Sequence, residues 1–370
     1  MKEFVLKEIV ARDMESELAK IGFDSAYRFK ASDKYKYKTL KIFDLTPAQA
    51  NILKQTALIC GSDCAVHREV ITGKIETSNA ILGGSISELK KIAERLKKQP
   101  FSLGILGEKF LEQLSETKQV TKLVGILNVT PNSFSDGGKY YNPEQACKHL
   151  YQLIEDGADM IDIGAESTKP FAEAVSAEIQ IERLAPVLKE IKNIDIPVSI
   201  DTRSSEVARF ALDKGAKIIN DVSGMDFDPL IADVVSEYDA GIVIQHSLGK
   251  TQDKPEYKDV VEEVYLSLLK KAEFAKSKGI KNIILDVGIG FGKKREDNFK
   301  LLDRIEEFHS LKLPLMVGIS RKSLLGIQDN NNDLKDVLTL ALSYPLIQKG
   351  VQYLRVHNVK LHKQLIHLVD

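Results

Sequence analysis

The chain has 370 residues, 43% of them apolar, and carries 52 Lys and Arg against 53 Asp and Glu. That length allows two domains, or one large domain with an appendage, and the apolar content is enough for a sizeable core. The near-zero balance gives no reason to expect nucleic acid or a membrane surface as a partner.

No apolar run approaches the roughly 20 residues of a spanning helix. The first residues, Met1-Lys2-Glu3-Phe4-Val5-Leu6-Lys7-Glu8, lack the uncharged stretch of a secretory signal. Three cysteines suit a reducing cytoplasm better than a disulfide framework, so a cytoplasmic protein is expected.

Residues 1–115 read as a small α+β region. Thr46 before Pro47 makes an N-cap with Pro in the first helical position of a helix over 48–58. Ser85-x-x-Glu88 forms a capping box ahead of a helix over 89–98. Strand-like runs cover 39–43 and 66–71, and the polar residues 112–122 read as a linker. Cys60, Cys64 and His67 are spaced like metal ligands, but a structural zinc site needs a fourth and none is evident.

From 122 onward, short Ile/Val/Leu-rich runs alternate with amphipathic stretches. The runs are 122–129, 160–165, 197–202, 218–223, 241–247, 282–288, 314–320 and 353–359. Nearly continuous apolar runs are what strands buried on both faces require. The amphipathic stretches include 143–156, 177–192, 205–214, 260–278 and 334–349, and Gly157, Gly215, Gly279 and Gly350 supply helix stops. Eight such units over about 250 residues match a (β/α)8 TIM barrel. A doubly wound sheet usually has fewer strands and a G-x-G-x-x-G turn after its first strand, and none follows Val129. The expectation is an α/β chain: a barrel over 122–370 preceded by the small α+β domain.

Barrel active sites lie at the C-terminal ends of the strands. Those ends offer Asn128; Glu166; Asp201, Thr202 and Arg203; Asn220 and Asp221; Gln245 and His246; Asp286; Ser320, Arg321, Lys322 and Ser323; and Arg355 with His357. Arg355 and His357 are two apart on one strand and so share a side, which makes an anion site. Pairing of Arg355 with a neighbouring strand carboxylate is the plainer alternative. Asp201, Asn220 and Asp286 suit a ring edge that presents an amine and an N–H, or they satisfy one another. The turn Gly288-Ile289-Gly290-Phe291-Gly292-Lys293 allows close backbone approach but lacks the spacing of a phosphate-binding P-loop.

With those residues in place, the chain resembles dihydropteroate synthase over 122–370. The resemblance is carried by 125–138 (Gly-Ile-Leu-Asn-Val-Thr-Pro-Asn-Ser-Phe-Ser-Asp-Gly-Gly), Gly-Ala-Glu-Ser-Thr-Lys-Pro at 164–170 and Ser-Ile-Asp-Thr at 199–202. It continues through Ile-Asn-Asp-Val-Ser-Gly at 219–224, Asp286 to Lys293, Ser320-Arg321-Lys322-Ser323 and Arg355-Val356-His357. The resemblance implies an enzyme of folate biosynthesis. It would join 6-hydroxymethyl-7,8-dihydropterin diphosphate to 4-aminobenzoate, use Mg2+, form a homodimer and be the sulfonamide target.

By the same resemblance Asp201, Asn220, Asp286 and Lys322 match pterin positions. Asn128, Arg355 and His357 match diphosphate positions, and Asn128 also the magnesium position. Phe134, Asp136, Thr168, Pro170 and Ser323 match the surroundings of aminobenzoate, and Phe291 is counted with the substrate-binding residues. Asp201, Lys322, Arg355 and His357 are the expected catalytic set. The implied mechanism is dissociative, with loops over 130–142 and 165–176 excluding water. The chain departs from the family at Lys169 (usually Arg), Phe171 (Gly), Val287 (Pro), Gln245 (Met) and Asn132 (Asp). Two readings compete: a pterin-binding methyltransferase-like barrel, which has no use for a diphosphate site, and a non-catalytic paralogue.

Overall fold

The structure, a computed structural model, describes residues 5–9, 13–115, 120–130, 142–166, 175–247, 256–327 and 331–369. The chain divides into two compact units, Met1–Thr117 and Lys118–Asp370.

In the first unit, strands β1 (Tyr37–Leu45), β2 (Asp63–Val66) and β3 (Ser78–Ser85) form an antiparallel sheet in the order β1-β3-β2. Both N-terminal helix signals hold. Thr46 caps the helix Pro47–Ile59 and Ser85 caps Ile86–Leu96, each in a reciprocal box, with Gln49 and with Glu88. Leu53, Leu82, Leu89 and Ile92 are fully buried between these helices and the sheet. The strand expected over 66–71 is a correction: β2 ends at Val66, and Arg68–Val70 is a 3-10 turn. His67 opens that turn by accepting the Glu69 N–H through Nδ1, which forces the chain out of the ladder. The linker expected over 112–122 begins as helix, because Leu103–Leu114 buries Phe110 and Leu114.

The second unit is a closed barrel of eight parallel strands: β4 (Lys122–Asn128), β5 (Met160–Gly164), β6 (Val198–Asp201), β7 (Ile218–Asp221), β8 (Gly241–Gln245), β9 (Asn282–Asp286), β10 (Leu315–Val317) and β11 (Tyr353–Val356). β10 pairs with both β9 and β11, and β11 with β4, which closes the ring. Strand alternation sorts the side chains into two sets. Leu123, Ile161, Ile163, Ile200, Ile219, Ile242 and Leu285 point outward into the core shared with the surrounding helices. The inward set is layered. Val124, Met160, Val243, Ile284 and Met316, with Ile218 and Tyr353 against them, make an apolar floor.

Further along six of the eight strands the inward positions turn polar, at Asp162, Asp201, Asn220, Gln245, Asp286 and Arg355, while β4 keeps Ile126 and β10 is followed by Gly318. The floor fills the barrel at its N-terminal end, so the polar layer lies at the C-terminal mouth, where a barrel places its chemistry. No helix among the described residues is long and apolar enough to cross a membrane.

Candidate active site

Four strands bring one connected set together. Arg355, at the end of β11, donates from Nε to Asp162 Oδ2 at 2.6 Å and from Nη2 to Asp201 Oδ2 at 3.0 Å. Asn220 Nδ2 on β7 donates to the same Asp162 oxygen at 2.9 Å. Lys322 joins across Gly318: a Cβ there would lie 3.6 Å from Arg355 Cβ and 3.8 Å from Lys322 Nζ. Lys322 Nζ donates to Ile289 O at 2.7 Å and lies 4.6 Å from the centre of the Phe291 ring. Asp286, at the end of β9, receives the Gly288 N–H at 2.7 Å.

Burial raises the carboxyls of Asp201 and Asp286. Arg355 lowers the first and Lys322 the second, in partial opposition. Burial also pulls the Lys322 ammonium down, to about 8, against the pull of Asp286. The layer is therefore a desolvated group of three acids and two bases, and a ligand able to exchange hydrogen bonds with both would relieve it.

The plainer reading of Arg355 is the one realised, with a difference. Its carboxylate partners come from β5 and β6, across the mouth, while its sheet neighbours are β10 and β4. His357 accompanies it but brings no charge. Burial, with Arg321 and Arg355 nearby, lowers the His357 ring to about 3. Its backbone N–H donates to Ser320 Oγ at 3.2 Å, and Nδ1 is 2.9 Å from that oxygen. Arg321 is spent on Asp336 through two bonds of 2.8 Å. Ser323 is exposed at the start of a 3-10 turn.

Asn128 closes the set. In the register, Asn128, Gly164 and Asp201 follow one another across β4, β5 and β6. A Cβ on Gly164 would lie 3.5 Å from Asp201 Cβ, 3.6 Å from Asn128 Oδ1 and 3.7 Å from Asp201 Oδ2, so two oxygens face the spot in front of the glycine. Such a spot suits a hard cation that also takes oxygens from a diphosphate. Among the described residues no group of three or more His, Cys, Asp or Glu gathers as a metal site. Cys64 instead lies in the core of the first unit. Phe134, Asp136, Thr168 and Pro170 lie outside the described residues.

Other strand-end residues serve the frame. Glu166 pairs with Arg203 at 2.9 Å, and Asp221 is taken up by Ser223 and Met225. Two residues escaped the reading of strand ends. Lys293, buried, donates to the carbonyls of His246, Gly288 and Phe291 and so ties the β9 loop to β8. Asp162 lies mid-strand. A lone acid two positions after Met160 in Met-Ile-Asp-Ile-Gly was the available signal, since it must share Met160's inward side.

Against known proteins, the family model described as "Pterin binding enzyme" matches residues 124–357. A Halobacterium salinarum protein named as a bifunctional folylpolyglutamate synthase/dihydropteroate synthase is 39% identical over 328 residues, 84% of this chain. The chain spans only 40% of that relative's length. A dihydropteroate synthase of Staphylococcus haemolyticus is 41% identical over 256 residues, covering 68% of this chain and 94% of its own. The solved dihydropteroate synthase of Xanthomonas albilineans with 4-aminobenzoic acid superposes with a TM-score of 0.64 at 36% identity, over 69% of this chain and 93% of that one. The chain therefore belongs to the pterin-binding enzymes and, within them, to the dihydropteroate synthase family.

Proposed function

We propose that the chain condenses 6-hydroxymethyl-7,8-dihydropterin diphosphate with 4-aminobenzoate, giving 7,8-dihydropteroate and diphosphate in folate biosynthesis. The observation that carries this is the polar layer over an apolar floor. Asp286, Asn220 and Lys322 offer an acceptor, an amide and a donor within one barrel mouth. That set complements a heterocycle with an amine, a ring N–H and a carbonyl.

In this reading the bond between the pterin methylene and the diphosphate oxygen breaks first, and its electron pair leaves with the diphosphate. Arg355, His357 and Asn128 face the leaving group. His357, neutral, gives a hydrogen bond rather than charge. Carboxylate oxygens of the layer facing the ring favour the positive charge that spreads into it from the methylene. The aromatic amine nitrogen then donates its lone pair to the methylene carbon, and the resulting anilinium loses its proton to solvent without a dedicated base. Mg2+ belongs to the proposal, with Asn128 Oδ1 as its protein ligand beside Asp201. When bound it would supply charge to the leaving diphosphate. A homodimer, implied by the family, is proposed as the working form.

The test is a chromatographic assay of the purified chain with both substrates and Mg2+, repeated with a chelator. Equal amounts of dihydropteroate and diphosphate are expected, and only with the metal. A folded protein that yields neither contradicts the synthase reading; turnover undiminished by the chelator contradicts the metal.

A further inference from the structure

The geometry points to Asp162 as a positioning residue of the pterin site, the anchor that sets Arg355 and Asn220 relative to each other. The inference rests on the synthase reading.

Asp162 is 1% exposed and belongs to the inward row of β5, paired in register with Ile126 on β4 and Ser199 on β6. One of its oxygens, Oδ2, takes both the Arg355 Nε bond at 2.6 Å and the Asn220 Nδ2 bond at 2.9 Å. These donors stand on β11 and β7, on different sides of the ring. A single buried oxygen therefore fixes two groups of the mouth at once. The guanidinium is shared, because Nη2 goes to Asp201. Without Asp162, Arg355 would be free to close on Asp201 with both arms, the geometry guanidinium and carboxylate prefer. That would draw Asp201 and Arg355 away from the ligand.

A second observation separates this from a purely structural ion pair. Asp162 Oδ1 and the neighbouring Ser199 Oγ are buried with no hydrogen-bond partner. Buried polar groups that serve only the frame are normally satisfied. These two are left open in the layer where the ligand is proposed to bind, as expected of a site completed by what binds there.

Asp162→Asn keeps the shape and removes the ionic anchor. It is expected to lower kcat/KM for dihydropterin diphosphate at least about tenfold, with KM for 4-aminobenzoate changed by less than about threefold. Combined with Arg355→Lys, the loss should fall well short of the product of the single losses, because both changes break one interaction. If the Asn variant does not fold, Asp162→Ser is read in its place. Unchanged kcat/KM, equal losses for both substrates, or fully multiplicative losses would overturn the inference, as would a fall in melting temperature alone. Calorimetric titration with dihydropterin diphosphate alone reads the same positioning without turnover. There the Asn variant should bind at least about tenfold more weakly, and equal affinity would overturn it. A wild-type chain that binds the pterin but makes no product would instead contradict the synthase reading.

Discussion

His357 illustrates what a residue's neighbours add to its identity. In sequence it is an imidazole beside a guanidinium, and the pair reads as a cationic anchor. In the fold the ring is largely desolvated beside Arg321 and Arg355, which outweigh Asp336, and it stays neutral, lowered to about 3. The sign of its effect on stability follows. A buried His with a depressed pKa contributes stability that is complete above its unfolded value of about 6.5 and is lost as pH falls toward the folded value. Wild type should therefore lose stability relative to His357→Gln between pH 6.5 and 4, by denaturant midpoints at each pH. A difference that stays constant with pH would contradict the neutral ring. Asn128, Asp201, Asn220 and Asp286 were legible because a polar residue ending an apolar strand advertises the mouth, and Lys322 follows in the loop five residues after β10. Asp162 was not, since it is enclosed by apolar neighbours and its partners are 58 and 193 residues away in sequence.

Among elements, the barrel strands were legible within a few residues because burial on both faces demands unbroken apolar runs. The N-cap at Thr46 and the capping box at Ser85 were legible because their chemistry is local, whereas the reciprocal bond from Gln49 to Thr46 was not read. β3 was missed: Gly83 and Gly84 interrupt its pattern, and their strand conformation is imposed by pairing with β1 and β2. The loop after β9 shows how tertiary contact dictates a residue. Gly288 has φ +69, and a Cβ on it would come within 1.8 Å of His246 O. Gly288→Ala must therefore push β8 and β9 apart at the mouth and disturb the Lys293 tie. A loss of about 2 kcal/mol or more in unfolding free energy is expected, from strain and lost bonds together. A variant as stable as wild type in chemical denaturation would show that the loop adapts at no cost.

At the scale of the molecule, function follows from a gradient along the barrel axis. The apolar floor of Val124, Met160, Val243, Ile284 and Met316 leaves the polar layer above it as the place where a ligand can meet charge out of water. The family match lies wholly in the second unit, from 124 to 357. The central claim is that a dihydropterin is held in this layer, with Asp286 receiving its amine and ring N–H. Titration calorimetry with dihydropterin diphosphate on wild type and on Asp286→Ala tests it most directly. Saturable binding by wild type, weakened by at least about 30-fold in the variant, is predicted, since a charge-assisted pair of hydrogen bonds is lost. Equal affinity of the two proteins would contradict the account.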